Sequence, residues 1–160
     1  MADAANPHIV GLKHLAFAVE NADAALARWR RLLPVGTDAR VVDWTGSRTR
    51  VAIFVQGGVE FQLNASMDPD GRFATWIASR GGEGLHHICY AVDNIEAAMA
   101  LATGQGATAK LCRACNALGP HPHPEGFVAF LQDEAAGTEV EFMQVYTPAE
   151  LERYKAVKGI

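Results

Sequence analysis

Hydrophobic and polar positions along this chain switch between two periods, and the switches come in the same order twice. From Leu12 to Val19 they alternate. Lys13, Leu15, Phe17 and Val19 share one face, and Leu12, His14, Ala16 and Ala18 the other, which is the period of a strand. Asn21 then reads as the N-cap of a helix rich in Ala, Leu and Arg, which Pro34 stops. Strands are expected at 39–44, and at 50–55 and 59–63 around the Gly57-Gly58 turn. The order returns with a strand at 85–92, a helix capped by Asn94 and ended at Gly104, and strands near 108–113, 127–131 and 138–145. Between the two runs, 70–80 reads as a short helix and Gly81 to Gly84 as a hinge. Thr147-Pro-Ala-Glu150 is a capping box with proline at the first helical position, opening a short charged surface helix.

The likeness extends to residues. Gly11 to Ala27 laid over Gly84 to Ala100 gives nine identities in seventeen positions, and Gly58 to Leu63 lies over Gly137 to Phe142 in the same order. Duplication explains both matches better than chance. The chain is therefore expected to be α+β, with two tandem βαβββ modules forming a curved eight-stranded mixed sheet and helices outside. The first module spans 8–66, a linker helix and hinge 67–83, the second module 84–146 and a C-terminal helix 147–160.

Composition narrows the function. At 160 residues the chain is one domain or two small fused modules. Its 49% hydrophobic and 20% charged content excludes global disorder. A net charge of −4 argues against nucleic acid as a partner. No apolar run is long enough to span a membrane, and the first residues lack a secretory pattern, so a cytoplasmic location is expected. Three cysteines suit a reducing compartment. Antiparallel edges and apolar helix faces make a homodimer the expected assembly.

The duplication matters most for chemistry. His14 and His87 occupy the same place in the first strand of each module, and Gln62 and Glu141 the same place in the last. The imidazoles share their face with small residues (Ala16 and Ala18, Cys89 and Ala91), while the opposite faces are apolar and suited to a covering helix. Two nitrogens and two oxygens suit a first-row divalent metal, Co, Mn, Ni, Fe or Zn. Water in one or two remaining positions would make such a site catalytic.

Other polar clusters read more plainly. Cys112 and Cys115 form a CxxC, but residues three apart on a strand point to opposite faces, so the expectation is plain buried thiols. His121 and His123 alternate with prolines in an extended, stiff loop that is either an exposed surface or a lid offering His123 or Glu125 to substrate. Glu60 and Glu139 share the ligands' face, as supporting carboxylates or a spare base.

The stretches from Lys13 to Val19, Arg50 to Phe54, Glu60 to Leu63, Gly82 to Asn94, Val128 to Leu131 and Gly137 to Glu141 resemble the vicinal-oxygen-chelate (glyoxalase/bleomycin-resistance/dioxygenase) superfamily, and within it most closely the methylmalonyl-CoA epimerase branch. The resemblance implies paired βαβββ modules around a divalent metal held by His14, Gln62, His87 and Glu141. It implies a metal-dependent isomerase or epimerase that enolises a small acyl-CoA or oxo-acid, with Glu141 as ligand and base. The family's acidic residue ahead of the Arg50-Val51 strand is replaced here by Gly46 or Ser47, and the nearest carboxylate, Asp43, is the expected second acid/base. Where the family carries Lys or Arg before the Val128 strand, this chain has Phe127. Glyoxalase-type isomerisation or lysis, iron-dependent dioxygenation and non-catalytic binding of a small molecule are the alternatives on the same scaffold.

Overall fold

The computed structural model describes residues 8–160. Four helices and ten strands among them make a mixed α+β protein. The strands are β1 (Ile9–Ala18), β2 (Arg40–Trp44), β3 (Thr49–Gln56), β4 (Val59–Ser66), β5 (Gly84–Val92), β6 (Ala109–Cys112), β7 (Ala117–Leu118), β8 (His121–His123), β9 (Gly126–Ala135) and β10 (Thr138–Val145). The helices are α1 (Ala22–Leu32), α2 (Arg72–Arg80), α3 (Ile95–Gly104) and α4 (Pro148–Lys158). The strands beyond the eight expected are β7, just after the CxxC, and β8, within the proline-rich loop. The described residues divide into two compact units, one formed by His14–Ile88 and one by residues 8–13 together with Cys89–Ile160.

In the His14–Ile88 unit the strands lie in the order β2-β3-β4-β1. Pairing is antiparallel except between β1 and β4, which run parallel with His14 opposite Glu60 and Ala16 opposite Gln62. Asn21 adopts extended backbone and accepts from Ala24 N at 2.9 Å, starting α1. Its Ala22, Ala25 and Leu26 pack on Ala52, Phe54, Leu63 and Ala65. These strand positions alternate with His14, Val51, Ile53, Gln62 and Asn64, so α1 covers one face of the sheet and the histidine stands on the other. Phe54 is 1% exposed and stacks on Phe61 at 5.1 Å, with Trp29 tilted against it at 5.8 Å. Phe54→Ala is expected to cost about 3–5 kcal/mol through lost burial and the cavity left behind, read as a lower urea midpoint at unchanged m-value. From β4, Ser66 Oγ accepts from Phe73 N at 3.0 Å and Ala74 N at 3.1 Å, capping α2 where Gly71 offers no side chain.

The second unit begins within β5, at Cys89, and from there the strand order is β5-β10-β9-β6-β7, with β8 also paired to β9. Asn94 repeats the cap of Asn21, accepting from Ala97 N at 3.0 Å. Val92, Ile95, Ala98 and Met99 pack with Ala129, Leu131 and Phe142 on the side of α3. Cys89, Cys112, Val128, Phe130 and Met143 form a separate cluster. The N-terminal segment is fastened into this unit: His8 O accepts from Asp93 N at 3.0 Å, and its ring Nδ1 bonds the Asp93 carboxylate at 2.9 Å.

The capping box of α4 forms as expected, with Thr147 N donating to Glu150 at 2.8 Å and Glu150 N to Thr147 Oγ1 at 3.3 Å. Those hydrogen bonds hold the Glu150 carboxyl below its ordinary range. A lowered carboxyl pKa stabilises the folded form above the unfolded value and loses that contribution as pH falls through the folded one. The start of α4 is therefore expected to stay closed at neutral pH and to fray on acidification below the usual glutamate range. A fall in the protection of the Thr147 amide, measured against its intrinsic exchange rate at each pH, would report it. Among the described residues no helix is long and apolar enough to cross a membrane.

Candidate functional site

Three polar side chains that face away from α1 are almost wholly buried: His14 at 3%, Gln62 at 4% and His87 at 5% exposure. They come from β1, β4 and β5, and all belong to the His14–Ile88 unit. Strand alternation sets the first two. His14 pairs with Glu60 and Gln62 with Ala16, which puts the imidazole and the amide on one side of neighbouring strands. Nε2 of His14 lies 3.2 Å from Nε2 of His87. Two imidazole nitrogens bound at ~2.0–2.1 Å to one cation stand roughly 3–3.4 Å apart. The facing pair therefore fits a shared divalent metal, provided both rings present lone pairs.

Neighbours set the orientation of each ring. His87 Nδ1 is hydrogen-bonded to Nδ1 of His86 at 2.8 Å. When His87 donates in that bond, its Nε2 is left as a lone pair directed at His14. His86 is 1% exposed and wedged against the rings of Phe73 and Trp76 from α2, with centroids at 4.9 and 5.5 Å. Gln62 Nε2 donates to the Glu60 carboxylate at 2.8 Å and lies 3.4 Å from His14 Nδ1. The amide nitrogen is thus committed to Glu60, and Oε1 is the atom with lone pairs to offer a cation. Asn64 braces the same strand by donating to the backbone carbonyl of Gln62 at 3.2 Å.

The other expected residues are carried by other strands. Glu141 sits on β10 opposite Phe130, 5% exposed, in the second unit, past a bulge that follows Glu139. Glu139, equally buried, is ion-paired with Lys110. Asp43 is on β2 opposite Arg50, among positions that alternate with the His14 face and lie on the side of α1. Its carboxylate accepts from Arg50 Nη1 at 2.8 Å, and Arg50 also reaches Asp23 of α1 at 2.7 Å. That triad is half exposed; Arg50 holds the Asp23 carboxyl below its ordinary value. Gly46 and Ser47 lie in the turn between β2 and β3.

Strand alternation points to His87 and not to His86. Alternation sends neighbouring side chains to opposite faces, so His86 reads as pointing away. The signal was nevertheless present, because the His86-His87 pair stands where the first repeat has Lys13-His14, and only the second repeat carries a ring able to brace its ligand.

Residues 13–127 match the model of the Glyoxalase/Bleomycin resistance protein/Dioxygenase superfamily, and the chain belongs to that family. No curated protein matches the chain. Among solved structures, a hypothetical protein from Bacillus halodurans is similar with a TM-score of 0.70 and 24% identity, over 85% of this chain and 94% of that one. Methylmalonyl-CoA epimerase from Mycobacterium tuberculosis is similar with a TM-score of 0.67 and 19% identity, over 94% and 96% of the two chains. A 4-hydroxymandelate synthase mutant from Streptomyces coelicolor gives a TM-score of 0.65 at 13% identity, covering 87% of this chain and 48% of that one. These likenesses establish the shared fold, with epimerases among the neighbours.

Proposed function

We propose that the protein is a metal-dependent isomerase or epimerase that moves a proton next to a carbonyl, on a small acyl-CoA or a similar oxo-acid. The observation that supports this most is the buried His14–His87 pair, with Nε2 atoms 3.2 Å apart, in a member of a family of mostly metal-using enzymes. The proposed ligands are His14, His87 and Gln62 through Oε1. Glu141 is the fourth, assigned because it repeats Gln62 in the duplicated sequence. A divalent cation so held supplies Lewis-acid polarisation of the substrate carbonyl and stabilises the enolate charge.

The chain's own residues supply the rest. His86 holds His87 in the tautomer that presents Nε2, and Glu60 fixes the Gln62 amide. Glu141 takes the α-proton at a carboxylate oxygen and returns it. Because Asp43 is engaged by Arg50 on the side of α1, we assign the proton transfer to Glu141 alone, a one-base scheme that suits isomerisation in the glyoxalase manner as well as exchange at an acyl-CoA α-carbon. The acyl-CoA class rests on the epimerase neighbours of the fold.

The test is solvent deuterium incorporation at the α-carbon across a panel of acyl-CoAs and 2-oxo-acids, with protein freed of metal and then reloaded with Co, Mn, Ni, Fe or Zn. Metal-dependent incorporation into one substrate class supports the reading. No incorporation into any, with metal bound, would sink it.

A further inference from the structure

Within the second unit, four side chains that the mechanism does not use meet at the far end of β6. Cys112 is the last residue of that strand. The chain then turns through residues 113–116, and Asn116 takes the left-handed conformation with φ of 50° that reverses it into β7. The reversal curls Cys115 back over Cys112 rather than letting it continue to the opposite face. From β8, which is paired to β9 with His121 opposite Val128, the two-residue spacing sends His121 and His123 to the same side. Their rings are 5.0 Å apart, and both lie against Phe130.

We propose that Cys112, Cys115, His121 and His123 form a second metal site, a closed Cys2His2 site for zinc that fastens the β6–β7 turn to β8. Ligand atoms of all four residues lie within 4.8 Å of one another. His123 Nε2 is 3.3 Å from Cys115 Sγ and 3.7 Å from Cys112 Sγ. With zinc–sulfur and zinc–nitrogen bonds of ~2.3 and ~2.0–2.1 Å, a tetrahedral sulfur-to-nitrogen edge is about 3.6 Å, so both distances suit a common centre.

A second, independent observation comes from His121. The residue is 6% exposed, and its Nδ1 is 2.7 Å from the carbonyl oxygen of Gly119. A carbonyl can only accept, so Nδ1 carries the proton and Nε2 the lone pair. That Nε2 is buried and makes no hydrogen bond. A backbone carbonyl on one ring nitrogen with a buried lone pair on the other is the arrangement that orients a metal-binding histidine. Cys112 and Cys115 are both free thiols. Two thiolates and two imidazoles match zinc in donor type, and four protein ligands leave no position for substrate, so the site is structural. Binding releases the two thiol protons to solvent.

The experiment uses the full chain, freed of metal and kept reduced, and titrates it with Co2+. One equivalent per chain is expected to give a sulfur-to-cobalt charge-transfer band in the near ultraviolet with intense ligand-field bands in the visible, all displaced by Zn2+. His87→Ala is expected to keep those bands in full, which separates this site from the one proposed for catalysis. Cys115→Ser changes an exposed residue in a turn. It is expected to lose at least half of the charge-transfer intensity and one zinc equivalent per chain while its circular dichroism stays unchanged. Absence of a sulfur-to-cobalt band in the reduced wild-type protein, or a band that Cys115→Ser leaves intact, would overturn the proposal.

Discussion

His87→Ala is expected to lower the divalent metal bound per chain by one equivalent and to abolish metal-dependent proton exchange. The imidazole supplies one of the two nitrogens that face each other at 3.2 Å, and alanine supplies no donor atom. The loss should exceed the roughly 10–100-fold drop in metal affinity that removal of a supporting residue causes. Glu60→Gln, which weakens the hold on Gln62 without touching a nitrogen ligand, should fall inside that range. His87→Ala also removes the 2.8 Å hydrogen bond to Nδ1 of the buried His86, at a cost of about 0.5–1.5 kcal/mol for one lost hydrogen bond. Thermal denaturation run beside the metal analysis separates the two effects: a folded variant with its metal equivalent missing is the expected result, and unchanged stoichiometry would remove His87 from the site.

Glu141→Gln should reduce α-proton exchange about 10²–10⁴-fold, the range that a positioned general base contributes. The amide retains an oxygen for the metal but cannot take a proton, so the loss should persist when metal is raised until the variant is saturated. Asp43→Asn is the informative partner. Its carboxylate is bound by Arg50, half exposed, among positions on the side of α1, and the exchange rate should stay within a few-fold of wild type. A collapse of the rate in Asp43→Asn, with metal intact, would restore the two-base scheme that epimerisation most simply uses.

The difference between these two carboxylates shows what the sequence could and could not carry. His14 and His87 were legible because duplication placed them at equal positions in strands whose alternation is plain. The caps at Asn21, Asn94 and Thr147 were legible because each is a local hydrogen-bonding pattern. The face of Asp43 was not, since it depends on the register of β2 against β3, and that register is set by a turn at residues 45–48 without a strong sequence signature. Cys115 failed for a related reason. The opposite-faces expectation treats residues 112–115 as one strand, whereas β6 stops at Cys112 and Asn116 reverses the chain. His86 needed a contact from one ring to the next along a strand, which periodicity counts as impossible and side-chain length allows.

Residues 8–13 belong to the same compact unit as Cys89–Ile160, with His8 stitched to Asp93. For gene splitting this has a practical consequence. A break in the Gly81–Gly84 hinge looks like a clean boundary between repeats, yet it would cut both compact units, parting residues 8–13 from Cys89–Ile160 and residues 14–83 from 84–88. Fragments 1–83 and 84–160 should consequently reassemble when co-expressed and stay soluble poorly when made alone. Moving residues 8–13 to the end of the second fragment is the change expected to bring the unit of Cys89–Ile160 back onto one polypeptide.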